Sequence, residues 1–179
     1  MRIAFWSEVH RCNTTTHMQA IVDMLSIMCP DTQIATRAES ESGAEYRFLD
    51  CGTGLNARKR HVLFHADLIV VNLRQEHECI RHFFEENSYM ARLCMTKEIL
   101  FLLGGYECEA GIEPAYLERV YRVAPERIYM IPYNNEYQLA LALGKNRAFL
   151  EREYREGTIQ NEQFINELQR IATWIIRRK

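Results

Sequence analysis

The sequence predicts a three-layer α/β/α fold built on a mostly parallel sheet. Three observations carry that prediction. Arg2–Trp6, Asp67–Leu73 and Glu98–Leu103 are apolar runs of strand length, continuous as in strands buried on both faces. Between them, apolar residues recur at helical spacing, as at Ile21, Val22, Leu25 and Met28. The two kinds of segment alternate along the chain, the order that right-handed crossovers between parallel strands require. With 179 residues and 47% hydrophobic composition, the chain has enough apolar side chain for a real core. The expected organisation is one domain, 1–179, with a helical segment from about 147.

Each element has a local reason. Arg2–Trp6 is the first strand, and a helix from about Thr15 to Met28 ends before Pro30, which cannot extend it. Residues 31–36 have room for a short strand, and Arg37–Glu45 is a polar, glycine-containing loop expected to be mobile. Tyr46–Asp50 alternates apolar and polar residues as a strand ending at Asp50, before Cys51-Gly52-Thr53-Gly54. Ala57–His65 reads as a helix with Arg58, Lys59 and Arg60 on a solvated side. Asp67–Leu73 is the clearest buried strand. After it, His77–Asn87 is expected to be a helix with Cys79, Ile80, Phe83 and Phe84 on one face, and Tyr89–Met95 adds a turn or two. Glu98–Leu103 is the next strand. Pro114 suits the first turn of a helix reaching Tyr121, with Leu117 and Val120 inward. Arg127–Ile131 is a last strand stopped by Pro132, and Gly144 closes the helix after it. Arg147–Glu156 is a charged helix ending at Gly157, and Phe164, Leu168, Ile171, Ala172 and Ile175 form an amphipathic stripe.

Composition excludes several classes of function. A net charge of −2 argues against nonspecific nucleic-acid binding as the main role. No apolar segment approaches the roughly 20 residues that span a bilayer, and the N-terminus lacks a secretory pattern. The expected location is the cytoplasm, with the inner face of the membrane as an alternative. Cys12, Cys29, Cys51, Cys79, Cys94 and Cys108 form no C-x-x-C pair, so reduced, mostly buried thiols are expected. His61 and His65 stand four apart, with His77, Cys79 and His82 beyond them, which raises a zinc site. Without an H-E-x-x-H arrangement, packing or surface histidines are the expectation.

The stretch Val9-His10-Arg11-Cys12-Asn13-Thr14-Thr15-Thr16-His17 joins the first strand to the first helix, where a phosphate-binding loop would read G-x-x-x-x-G-K-S/T. In that loop glycines let backbone N–H groups close on the phosphates, and lysine and hydroxyl supply the charge and the magnesium contact. Here the glycines and the lysine are missing. A threonine N-cap on a plain strand-to-helix connection accounts for the residues without any ligand. Asp50-x-Gly52 ends a strand, and from the residues alone it makes an ordinary turn.

On these stretches, and on Ile131-Pro132-Tyr133-Asn134-Asn135-Glu136-Tyr137 followed by Ala140 and Gly144-Lys145, the chain resembles the ParA/MinD family of deviant-Walker P-loop ATPases, and within it the degenerate TadZ-like branch of Flp (Tad) pilus assembly. The family loop reads K-G-G-x-G-K-T-T/S. Aligned on the threonines, His10 falls on its first lysine, Arg11 and Cys12 on two glycines, Asn13 on the variable residue, Thr14 on the third glycine and Thr15 on the phosphate lysine. Only Thr16 matches chemically. The resemblance implies a P-loop NTPase-like fold, a nucleotide site at residues 10–16, Asp50, Gly52, Pro132 and Tyr133, and a magnesium site at Thr16 and Asp50 if nucleotide binds. Gly104 stands where relatives carry a base-reading asparagine, and relatives place an activating switch segment where residues 31–45 are short. ATP hydrolysis is therefore not expected, nor is a cofactor. Expected partners are proteins of a pilus, secretion or positioning machinery, and a second copy in a homodimer. The rivals are a weak ATPase holding Mg-ATP or Mg-ADP through Thr15, Thr16 and Asp50 with Arg11 supplying charge, and an adaptor meeting DNA or membrane through Arg58–Arg60 or Arg177–Lys179.

Overall fold

The computed structural model describes residues 1–36, 43–106 and 112–178. Strands β1 (Arg2–Ser7), β2 (Ile34–Ala35), β3 (Tyr46–Thr53), β4 (Leu68–Arg74), β5 (Glu98–Tyr106) and β6 (Ile128–Pro132) pair in parallel throughout, in the order β2-β3-β1-β4-β5-β6. Among the described residues the helices are α1 (Thr14–Met28), α2 (Ala57–His65), α3 (His77–Arg81), α4 (Ser88–Thr96), α5 (Pro114–Tyr121), α6 (Asn135–Ala142), α7 (Asn146–Glu156) and α8 (Glu162–Ile176).

Strand periodicity divides the core into two layers. Ile3, Phe5, Val70 and Leu102 face α1, α6, α7 and α8, whereas Ala4, Trp6, Val71 and Phe101 face α2 to α5. Both sets are apolar, which is why the central strands read as unbroken runs. The result is a three-layer α/β/α fold on an all-parallel sheet.

Helix α8 buries its whole stripe: Phe164, Leu168, Ile171, Ala172 and Ile175 join the layer that holds Ile21 and Leu25 of α1. The four larger side chains together contribute roughly 6–12 kcal/mol of apolar burial, at about 1.5–3 kcal/mol each, as an upper bound. A membrane would have to repay that loss to pull α8 away. Among the described residues no helix is long and apolar enough to cross a membrane.

Several boundaries differ from the sequence reading. β3 runs on to Thr53 and β5 to Tyr106, because Gly52 and Gly105, at φ of 57° and 65°, bend the strands through irregular register without ending them. Residues 77–87 are not one α-helix: α3 gives way to a π-helical turn, His82–Glu86, which stops at Asn87. Asn87 then caps α4 by accepting from Met90 N. Val120 is 44% exposed, while Leu117 alone carries the inward face of α5. α1 starts at Thr14 and has no threonine cap; Asn13 occupies the cap position without a side-chain hydrogen bond. Most of the expected mobile loop 37–45 lies outside the described residues, as do Cys108 and Lys179.

Candidate functional site

The strand order reverses about β1, whose neighbours β3 and β4 come from later in the chain, and the crevice of such a sheet opens at the carboxyl ends of the strands there. Three contacts lock this edge. Trp6 Nε1 donates to Gly54 O at 2.8 Å, Gly54 N donates to Ser7 O at 2.9 Å, and the Ser7 and Thr53 hydroxyls lie 3.1 Å apart.

The connecting loop keeps the backbone habit of glycine without its residues. Arg11 and Asn13 sit at φ of 65° and 53°, the left-handed region. Asparagine tolerates it; for arginine the cost is about 1–2 kcal/mol. Between them Cys12 turns inward to 4% exposure, while His10, Arg11 and Asn13 face solvent. Thr14 is buried, Thr16 half-buried and Thr15 exposed.

Thr15 and Asp50 meet. The Thr15 hydroxyl donates to Asp50 Oδ2 at 2.5 Å, and Gly52 N donates to Asp50 Oδ1 at 2.8 Å. Both carboxylate oxygens thus have partners within the protein, and the glycine amide turns back onto its own strand. Asp50 lies inside β3, beside Phe5 of β1. Pro132 and Tyr133 stand elsewhere on the edge, at the end of β6, three strands from β1 or about 14 Å at the usual strand spacing. Tyr133 is 56% exposed. The next residue, Asn134, is buried: its Oδ1 accepts from Tyr137 N at 2.7 Å, and its amide donates to Asn161 Oδ1 at 2.7 Å, tying this loop to the start of α8.

The sequence reading missed a polar pair beneath the loop. His17, one residue past the threonines, is fully buried, with Nδ1 2.8 Å from Asn72 Oδ1. Burial holds its imidazole below the ordinary histidine range, with the Asn72 contact opposing. The ring lies against Gly104 of β5: a Cβ there would fall 2.2 Å from His17 Cε1. The available signal was Asn72 itself, one polar residue in an apolar strand, which needs a buried partner.

Among the described residues no group of histidine, cysteine and carboxylate side chains could hold a metal. His61 and His65 lie 4.4 Å apart between ring centroids, tilted at 52° to each other, on the exposed side of α2. Part of each basic cluster is engaged locally. Lys59 Nζ donates to Thr53 O, Arg60 lies over Tyr89 at 5.2 Å, and Arg178 pairs with Glu98 at 3.1 Å and covers Trp174.

No family model matches the chain, and no curated protein matches it in sequence. Solved structures do match in shape. A ParA family ATPase from Chlorobium tepidum TLS superposes with a TM-score of 0.69 at 12% identity, over 96% of this chain and 98% of that one. The septum site-determining protein MinD of Pyrococcus horikoshii OT3, in complex with Mg-ADP, gives 0.69 at 13% identity over 97% and 95%. The MinC:MinD cell division complex of Aquifex aeolicus gives 0.69 at 9% identity over 99% and 96%. The fold is that of P-loop NTPases. More narrowly, it is of the ParA/MinD type.

Proposed function

We propose that this chain is a catalytically degenerate ParA/MinD-type protein of the TadZ-like kind, which acts through protein contacts as a localisation or assembly factor of a pilus or secretion apparatus. One observation carries the reading: the loop at the end of β1, residues 8–13, takes left-handed backbone at Arg11 and Asn13 yet contains neither glycine nor lysine. Arg11, Cys12 and Thr14 carry side chains where the family loop has glycine. Asp50, the one carboxylate that matches the magnesium position, has both oxygens hydrogen-bonded within the chain. These residues do not fit a magnesium-bound triphosphate, and no catalytic step is assigned through one.

Two features favour a protein partner. The fold is shared with a MinD that is found in a complex with MinC. Leu139 and Leu143, four apart at the end of α6, are 63% and 61% exposed, which leaves apolar surface outside the core. In this reading, self-association does not depend on nucleotide. Phosphate release and light scattering test it together: no turnover above background and a molecular mass unchanged by Mg-ATP are expected. ATP-driven dimerisation or measurable hydrolysis rejects the proposal in favour of an active ATPase.

A further inference from the structure

A second concave site lies on the α2-to-α5 side of the sheet, near the amino ends of β5 and β6 and away from the crevice at the carboxyl ends. Its volume is about 350 Å³, within the range of small-ligand sites. Phe83, Phe84, Phe101 and Tyr121 give it an aromatic wall. Phe84 and Tyr121 stack at 4.3 Å and 11°, and Phe101 meets Phe83 and Phe84 at 5.6 and 5.4 Å between centroids. Phe83 and Phe84 are neighbours in the chain, and both reach the cavity from the π-helical turn His82–Glu86. Such turns recur at functional sites.

The rim is cationic. Arg122 and Arg127 line the cavity, and among the described residues no carboxylate does. Arg127 lies 3.7 Å from Glu98, whereas Arg122 is exposed and has no ion pair among the described residues. The backbone singles out Arg122. It closes α5 at φ of 57°, with Arg122 N donating to Glu118 O at 3.1 Å and Val123 N to Leu117 O at 3.3 Å. Those two bonds place it in the left-handed closing position where glycine is the usual residue. An arginine there strains the backbone and sets a guanidinium at the mouth of an aromatic cavity.

We propose that this cavity binds a small aromatic carboxylate, its ring against the aromatic wall and its carboxylate on Arg122. The planar guanidinium matches a carboxylate through two parallel hydrogen bonds, and the walls remove the ring from water. Glu98 already answers the charge of Arg127, so the free cation is Arg122, which suits a singly charged carboxylate better than a doubly charged phosphate ester. The cavity shares no residue with the β1–α1 loop, Asp50 or His17, so the inference is independent of whether nucleotide binds.

Calorimetric titration of the full chain with naphthoate tests it, with naphthamide and naphthyl phosphate as comparison probes. Naphthoate is expected to bind at one site with a Kd of about a millimolar or tighter. The neutral amide should bind about tenfold more weakly, and the phosphate more weakly than the carboxylate. Two variants locate the site. Ala91→Phe, at an exposed position of α4, puts a ring into the cavity and should abolish binding. Arg122→Gly removes the guanidinium and relieves the left-handed backbone, so affinity should fall about tenfold while Tm rises. Lost binding in that variant is therefore not lost folding. No saturable heat with naphthoate, equal affinity for the amide, tighter binding of the phosphate, or binding that survives both variants overturns the proposal.

Discussion

Gly104→Ala is expected to destabilise the protein through one named collision. The new Cβ would lie 2.2 Å from His17 Cε1 and 3.1 and 3.2 Å from the two ring nitrogens. A flexible surface side chain would swing aside at little cost, but this ring is fully buried and held 2.8 Å from Asn72. Forcing extra volume into a packed site costs about 1–3 kcal/mol. Displacing the ring also strands the buried Asn72 amide oxygen, a further ~1–3 kcal/mol. Against this, alanine restricts the unfolded chain and recovers about 0.4–1 kcal/mol. The net expectation is roughly 1–5.5 kcal/mol, or about 2–22 °C in Tm for a chain of this size. Urea unfolding followed by circular dichroism measures it, in a cycle with His17→Ala. In the His17→Ala background the collision partner is gone, so Gly104→Ala should cost less than about 0.5 kcal/mol. An equal penalty in both backgrounds, or no penalty in the wild type, would refute the reasoning.

Four further outcomes follow from the structure. His17 is held neutral by burial, so its folded pKa lies below the unfolded 6.5. The unfolded state then binds the extra proton: stability is fully present above about pH 6.5 and lost as pH falls toward the folded pKa. His82, raised by Glu86, titrates in the opposite sense, so the test is the difference in pH slope between wild type and His17→Gln. Tyr137→Phe should be neutral or stabilising by about 1 kcal/mol in urea unfolding, because Tyr137 Oη is buried without a hydrogen-bond partner among the described residues. Leu168→Ala, at 0% exposure on the α1 side of α8, should cost about 2–5 kcal/mol. The wild-type chain should fail to sediment with anionic vesicles, since the stripe a membrane would need is already covered.

Much of the frame was legible in the sequence because strand burial and helix burial have different periods. The continuous run Asp67–Leu73 and the stripe from Phe164 to Ile175 can each be satisfied in only one way. What escaped the reading depended on backbone conformation or on partners distant in sequence. Gly52 and Gly105 resemble strand-ending signals, yet they let β3 and β5 continue. The left-handed Arg11 broke the rule that such positions carry glycine. For the candidate site, Asp50 and Thr15 were named together as nucleotide contacts, but their mutual hydrogen bond, which depends on the β1–β3 pairing, was not foreseen. His17 went unnoticed because its partners, Asn72 and Gly104, lie on two other strands. Pro132 and Tyr133 were expected on the same edge as the loop, and they stand on it at the end of β6, three strands from β1.

Calorimetric titration of the full chain with Mg-ATP and Mg-ADP tests the central claim most directly. A loop without glycine or lysine at residues 8–13, beside an aspartate already bonded to Thr15 and Gly52, is predicted to give no saturable heat up to about millimolar nucleotide. Saturable binding with a micromolar Kd, about −8 kcal/mol, would contradict it.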